Sequence, residues 1–98
     1  MTEAEFFEEL AKVPGTPHVE SGAIIIDIPT YYPRRACSIT AVCAQKEGHL
    51  YDLFSWRIAA EDLDLEPTLA LKIARANDRT LDYNQKMRKK ILSALKLQ

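Results

Sequence analysis

The sequence predicts an α+β fold with element order αβββαα, a three-stranded antiparallel sheet with helices packed on one face. Three features point there. Apolar residues near the start recur at helical spacing. A β-branched run at residues 23–28 is followed by two alternating segments, and the period turns helical again from Pro67 onward. The chain has 98 residues, the size of one domain (residues 1–98) able to bury one modest core.

The first helix is expected over residues 2–12. Thr2 stands at the cap and Glu5 three residues later completes a capping box. Phe6, Leu10 and Val13 form its apolar stripe, and Pro14-Gly15 ends it. Ala23–Ile28 is the first strand, stopped by Pro29. Residues 30–35 read as a loop. Ala36–Lys46 and His49–Ile58 are then predicted to pair as a hairpin about Glu47-Gly48. In that two-residue register Cys37, Ile39, Ala41, Cys43, Leu50, Phe54, Trp56 and Ile58 share a face, broken by Asp52. The opposite face (Thr40, Val42, Ala44, Tyr51, Leu53 and Ser55) is half apolar. It is left for the first helix, a second subunit or water to cover, so a homodimer is among the expectations.

Ala59–Leu63 reads as a short helical turn. Pro67 opens a helix running to Asn77, with Leu69, Ile73 and Ala76 on its apolar side. Thr68, Lys72, Arg75 and Arg79 form one polar stripe. The last helix is predicted from Tyr83 to Leu97, with Asp82 as its cap. Its apolar side carries Tyr83, Met87, Ile91, Ala94 and Leu95. Lys86, Lys89, Lys90, Ser93 and Lys96 lie opposite.

Charge is split along the chain. Residues 1–66 carry twelve acids and five bases, and residues 67–98 carry eight bases and two acids, which a net charge of −1 conceals. Such asymmetry suits a surface for an anionic partner, or two halves that attract each other. The acidic start lacks the positive charge of a signal peptide. The longest purely apolar run, Ala23–Ile26, is far too short to span a bilayer. A cytoplasmic setting without membrane association is therefore expected. Two cysteines fit a reduced compartment. Six residues apart on one strand, they would stand about 20 Å apart, beyond disulfide reach.

Catalytic patterns are missing from the sequence. Three glycines cannot write a phosphate-binding loop or a dinucleotide fingerprint. His18 and His49 have no nucleophile at motif spacing, and the paired carboxylates Glu8/Glu9 and Asp62/Asp64 lie on segments that read as exposed. The cysteines and histidines lack zinc-module spacing. Neither enzymatic activity, nor a cofactor, nor a metal site is expected. The loop Tyr31-Tyr32-Pro33-Arg34-Arg35 is more suggestive. Aromatic rings beside guanidiniums suit a protein hot spot, and equally phosphate contacts with base stacking.

Residues 57–95 carry a family resemblance. The stretch Arg57-Ile-Ala-Ala-Glu-Asp-Leu-Asp-Leu-Glu-Pro-Thr-Leu-Ala-Leu-Lys-Ile-Ala-Arg-Ala-Asn resembles the helix-turn-helix of the lactose-repressor class. Met87-Arg-Lys-Lys-Ile-Leu-Ser-Ala-Leu resembles the basic third helix that follows it there. Ala60 matches the small residue of the first helix, Leu63 and Leu65 flank the turn, and Ile73 matches a core position. The resemblance implies that Thr68, Leu69, Lys72 and Arg75 face the major groove. Asp64 departs from the family's glycine, Ala70 from its larger core residue, and the link to the third helix is longer. Glu61, Asp62, Asp64 and Glu66 surround the turn, where they would repel phosphates.

The sequence thus favours a small non-enzymatic module that docks on another protein, an accessory protein of bacterial or phage type. Tyr31, Tyr32, Arg34 and Arg35 are its candidate contacts, and Tyr31, Tyr32, Leu53 and Leu71 the candidate apolar patch. The alternative is nucleic-acid binding through Thr68, Lys72, Arg75, Arg79, Lys86, Lys89 and Lys90.

Overall fold

The structure, a computed structural model, describes residues 1–29, 34–79 and 84–97, with Arg34 as backbone only. Its elements are α1 (Glu3–Leu10), β1 (Thr16–Glu20), β2 (Ala23–Ile28), β3 (Arg34–Ala36), α2 (Ser38–Glu47), α3 (Trp56–Asp62), α4 (Pro67–Asp78) and α5 (Gln85–Ala94). This is the α+β class, with a three-stranded antiparallel sheet in the order β1-β2-β3.

α1 forms as its sequence dictates. Thr2 Oγ1 accepts the Glu5 N–H at 3.1 Å, and Glu5 Oε1 accepts the Thr2 N–H at 2.9 Å. That reciprocal bond holds the Glu5 carboxyl below its usual range. Phe6 and Leu10 are buried. After the helix, Gly15 adopts φ +150°, and a Cβ there would stand 2.8 Å from the Asp27 carbonyl oxygen and 2.9 Å from Ile26 Cγ2. The chain can enter β1 this close to β2 only without a side chain. Gly15→Ala is expected to cost roughly 1–3 kcal/mol, read as a lower urea midpoint at unchanged slope.

The strands differ from expectation in identity. β1 pairs with β2 from Thr16↔Asp27 to Glu20↔Ala23, through a two-residue turn at Ser21 (φ 51°) and Gly22 (φ 86°). Two successive positive φ values match the twist of the strands they join. The polar, proline-containing stretch Thr16–Glu20 carries little strand signal of its own. Ser21-Gly22, between it and the isoleucine run, was the sign of the turn.

The predicted Ala36–Lys46/His49–Ile58 hairpin does not form. Ser38–Glu47 is helix α2, and residues 49–55 are irregular up to α3. Thr40 fixes the start, its Oγ1 accepting the Cys37 N–H at 2.9 Å. Gly48 closes the end at φ 76°, donating to the Ala44 carbonyl at 3.1 Å. All of Ser38, Ile39, Thr40, Ala41, Val42 and Cys43 are buried. A helix at the centre of a domain is enclosed on every side and shows no amphipathic period, so its sequence passes for a buried strand. The supposed second sheet face vanishes with the hairpin: Thr40 and Val42 are core residues of α2. Cys37 and Cys43 are both buried free thiols. Burial pushes Cys37 up, and for Cys43 burial, followed by nearby Asp62 and Glu47, gives about 11.

Ile24, Ile26 and Ile28 point into the helical layer and are buried. The other face of the sheet carries polar pairs. His18 Nε2 and Asp27 Oδ2 meet at 2.8 Å, and Arg35 on β3 pairs with Glu20 on β1. To join those strands the Arg35–Glu20 pair must cross β2 over Ile25, which is 4% exposed.

β3 is short, so the ladder stops at Ile26↔Ala36. Two residues further Ile24 would face Ser38, where the chain has already turned into α2. Asn77, near the end of α4, fills that gap. Its Oδ1 accepts the Ser38 N–H at 3.1 Å and its Nδ2 donates to the Ile24 carbonyl at 2.9 Å. The Ser38 hydroxyl also donates to Oδ1. One buried amide side chain thus stands in for the missing strand. From α5, Arg88 Nη1 donates to the Ala76 and Asn77 carbonyls at 2.9 and 3.4 Å, capping the negative end of α4.

α4 runs as expected with Pro67 in its first turn. α5 is shorter than predicted, and the proposed cap Asp82 and the predicted first residue Tyr83 lie outside the described residues. Its apolar side matches expectation in Met87, Ile91, Ala94 and Leu95, which are buried or half-buried. No helix among the described residues is long and apolar enough to cross a membrane.

Candidate docking surface

The irregular segment between α2 and α3 is pinned by its own side chains. Leu50, Tyr51 and Leu53 pack partly buried on the core. The Ser55 N–H donates to the Asp52 carbonyl at 2.8 Å, closing a tight turn with Leu53 and Phe54 at its tip. Tyr51 donates its hydroxyl to Asp62 Oδ2 on α3, which holds the phenol above its ordinary range. With Leu53 turned inward, Phe54 points out and is 87% exposed.

Two apolar hollows share Trp56 as a wall, and Phe54 lines one of them. One, of about 320 Å³, lies between α3 and α4, lined by Trp56, Arg57, Ala60, Glu61, Leu65, Pro67, Ala70 and Leu71. Alanines at 60 and 70 create it: a larger side chain at either would fill the space between the helices. The other, of about 260 Å³, is lined by Ala23, Ile25, Cys37, Leu53, Phe54, Trp56, Ala74 and Asp78. Trp56 is shared by both, and the Arg57 guanidinium stands 5.2 Å from its ring centroid. Ile58, 50% exposed, and Leu71, 36%, add apolar surface on α3 and α4.

The sequence-predicted residues fall in different places. Tyr31 and Tyr32 lie outside the described residues, as does the side chain of Arg34. Arg35 is committed to Glu20. Of the predicted apolar patch, Leu53 and Leu71 each line a hollow walled by Trp56. Thr68, Lys72, Arg75 and Arg79 are exposed along and just beyond α4, as the helical spacing required. Lys86 and Lys89 are exposed on α5. Lys90 is exposed as well and reaches α1, 3.4 Å from Glu3, and a shallow groove there places Lys89 and Lys90 beside Phe7. The basic end thus folds partly against the acidic first helix. Arg88, one of the eight bases of residues 67–98, is buried.

Phe54 and Trp56 escaped the sequence reading because the hairpin register placed both on a buried face. Asp52, the one residue that broke that face, was the available signal: with Ser55 it brackets a turn. The helix-turn-helix positions can be located as well. Asp64 is left-handed at φ 54°, and Ala60, Leu63, Leu65, Ala70 and Ile73 are buried. Glu61, Asp62, Asp64 and Glu66 are all exposed around the turn.

Among the described residues, no three histidine, cysteine or acidic side chains converge in a way that could hold a metal ion. No protein-family model matches the chain, and no match was found among curated proteins or among solved structures.

Proposed function

We propose that this chain is a small non-enzymatic protein-docking module whose contact surface is built around Phe54 and Trp56. The observation that carries this reading is the 87% exposure of Phe54 on a turn fixed by a backbone hydrogen bond, beside one apolar hollow and joined to a second through Trp56. An aromatic ring held in water on an anchored turn gains nothing for the fold. Aromatic anchors next to hollows are what binding hot spots are made of. Phe54→Asp should leave the thermal midpoint within a few degrees of wild type, because the ring buries little. It should abolish affinity capture of a protein partner. A midpoint drop like that of a core substitution, or capture unaffected by the change, would count against the surface.

A second reading, nucleic-acid binding through α3 and α4, is favoured by one observation, the left-handed Asp64 where the helix-turn-helix resemblance needs such a backbone. The exposed acids around that turn oppose it. On this reading Lys72→Ala and Arg75→Ala would weaken duplex binding that falls steeply with salt. Absence of retention on a DNA column at low salt would remove it.

A further inference from the structure

Resting on the reading of the Phe54 surface as a docking site, we infer that its occupant is a second copy of this chain, related by a two-fold axis. A two-fold interface uses one patch on both subunits, so that patch must carry both halves of its own fit. This one does. Phe54 is a projecting ring, and the hollow between α3 and α4 lies next to it, across the shared Trp56. Each copy can place its ring in the hollow of the other.

The rim charges fit the same arrangement. Arg57 and Glu61 both border the hollow and both are exposed. Four residues apart on α3, they lie on one face of the helix, about 6 Å apart along its axis. When two copies of α3 cross antiparallel about an axis between these residues, Arg57 of each meets Glu61 of the other. A polyanion would meet Glu61 with the wrong sign, and a strongly basic partner would meet Arg57. A copy of the same chain meets neither mismatch.

Sedimentation velocity over a range of concentrations tests this on the whole chain. The wild type is expected to pass from monomer to dimer, and Phe54→Asp to stay monomeric with an unchanged melt at low concentration. Arg57→Glu and Glu61→Arg place like charges in contact, so each alone should weaken self-association by roughly tenfold or more. An equimolar mixture of these two variants restores both pairs and should form a heterodimer. A wild type that remains monomeric at every concentration, a Phe54→Asp dimer, or a mixture no more associated than its components would each overturn the self-docking. A monomeric wild type that still captured another protein through Phe54 would leave the docking reading standing. A monomeric wild type with no Phe54-dependent capture would remove both.

Discussion

Asn77→Ala is expected to be among the most damaging single changes in this chain, lowering unfolding free energy by roughly 2–5 kcal/mol. Asn77 is 1% exposed and bridges three elements: its own α4, the start of α2 through Ser38, and β2 through the Ile24 carbonyl. Alanine would leave the Ser38 N–H and the Ile24 carbonyl without partners where water cannot reach them. Each orphaned buried group carries most of its desolvation penalty. Asn77→Asp separates polarity from geometry. A carboxylate can still accept from Ser38, but it turns an oxygen toward the Ile24 carbonyl and buries a charge. It should therefore be at least as harmful as alanine. Urea denaturation of both variants checks this. A loss under about 1 kcal/mol for Asn77→Ala, the range of an ordinary exposed site, would show that the bridge contributes little.

The second large effect is expected at Arg88. The side chain is buried, 5% exposed, and burial lowers its pKa. A guanidinium nevertheless keeps its charge at any pH at which the protein is folded. That charge lies at the C-terminal end of α4, where backbone carbonyls point at it. Arg88→Met keeps most of the apolar stem and removes the donors, so it isolates the capping contribution. The expected loss is about 2–3 kcal/mol. Arg88→Ala adds a cavity and should cost more, while Arg88→Lys retains the charge and should fall between wild type and Met. Because Arg88 binds the Asn77 carbonyl, the two sites share one network. The double variant Asn77→Ala/Arg88→Met should lose less than the sum of the singles. Strict additivity would mean that the α4 cap and the α2–β2 bridge act independently.

These expectations bear on how the charge split should be understood. The cations of the chain suggest a ligand surface, yet three of them, two late and one early, have partners of their own. Arg88 holds the fold, Lys90 reaches Glu3 on α1, and Arg35 is tied across the sheet to Glu20. Exposed ion pairs such as the last two contribute little to stability. They do reduce the cationic surface that an anionic ligand would meet.

Elements specified by neighbouring residues were legible in the sequence. The capping box of Thr2 and Glu5, the isoleucine run of β2, Pro67 at the start of α4, and the apolar side of α5 all depend on residues within a turn or two of one another. Local hydrogen bonds and one-sided burial leave a periodic trace. The α+β class followed from these elements. The identity of two of the three strands did not.

Tertiary structure alone decided the rest. Ser38–Cys43 could be a buried strand or a central helix by composition, and packing against α1, α3, α4 and the sheet made it a helix with no visible period. Once that segment became helical, its supposed partner strand could not pair, and Phe54 moved from an imagined core face to the surface. The roles of Asn77 and Arg88 were likewise invisible, since a buried amide or guanidinium is defined by partners 11 to 53 residues away. The sequence by itself determined where local order begins and ends. Which polar groups went inside, and which aromatic ring stayed in water, depended on distant segments meeting.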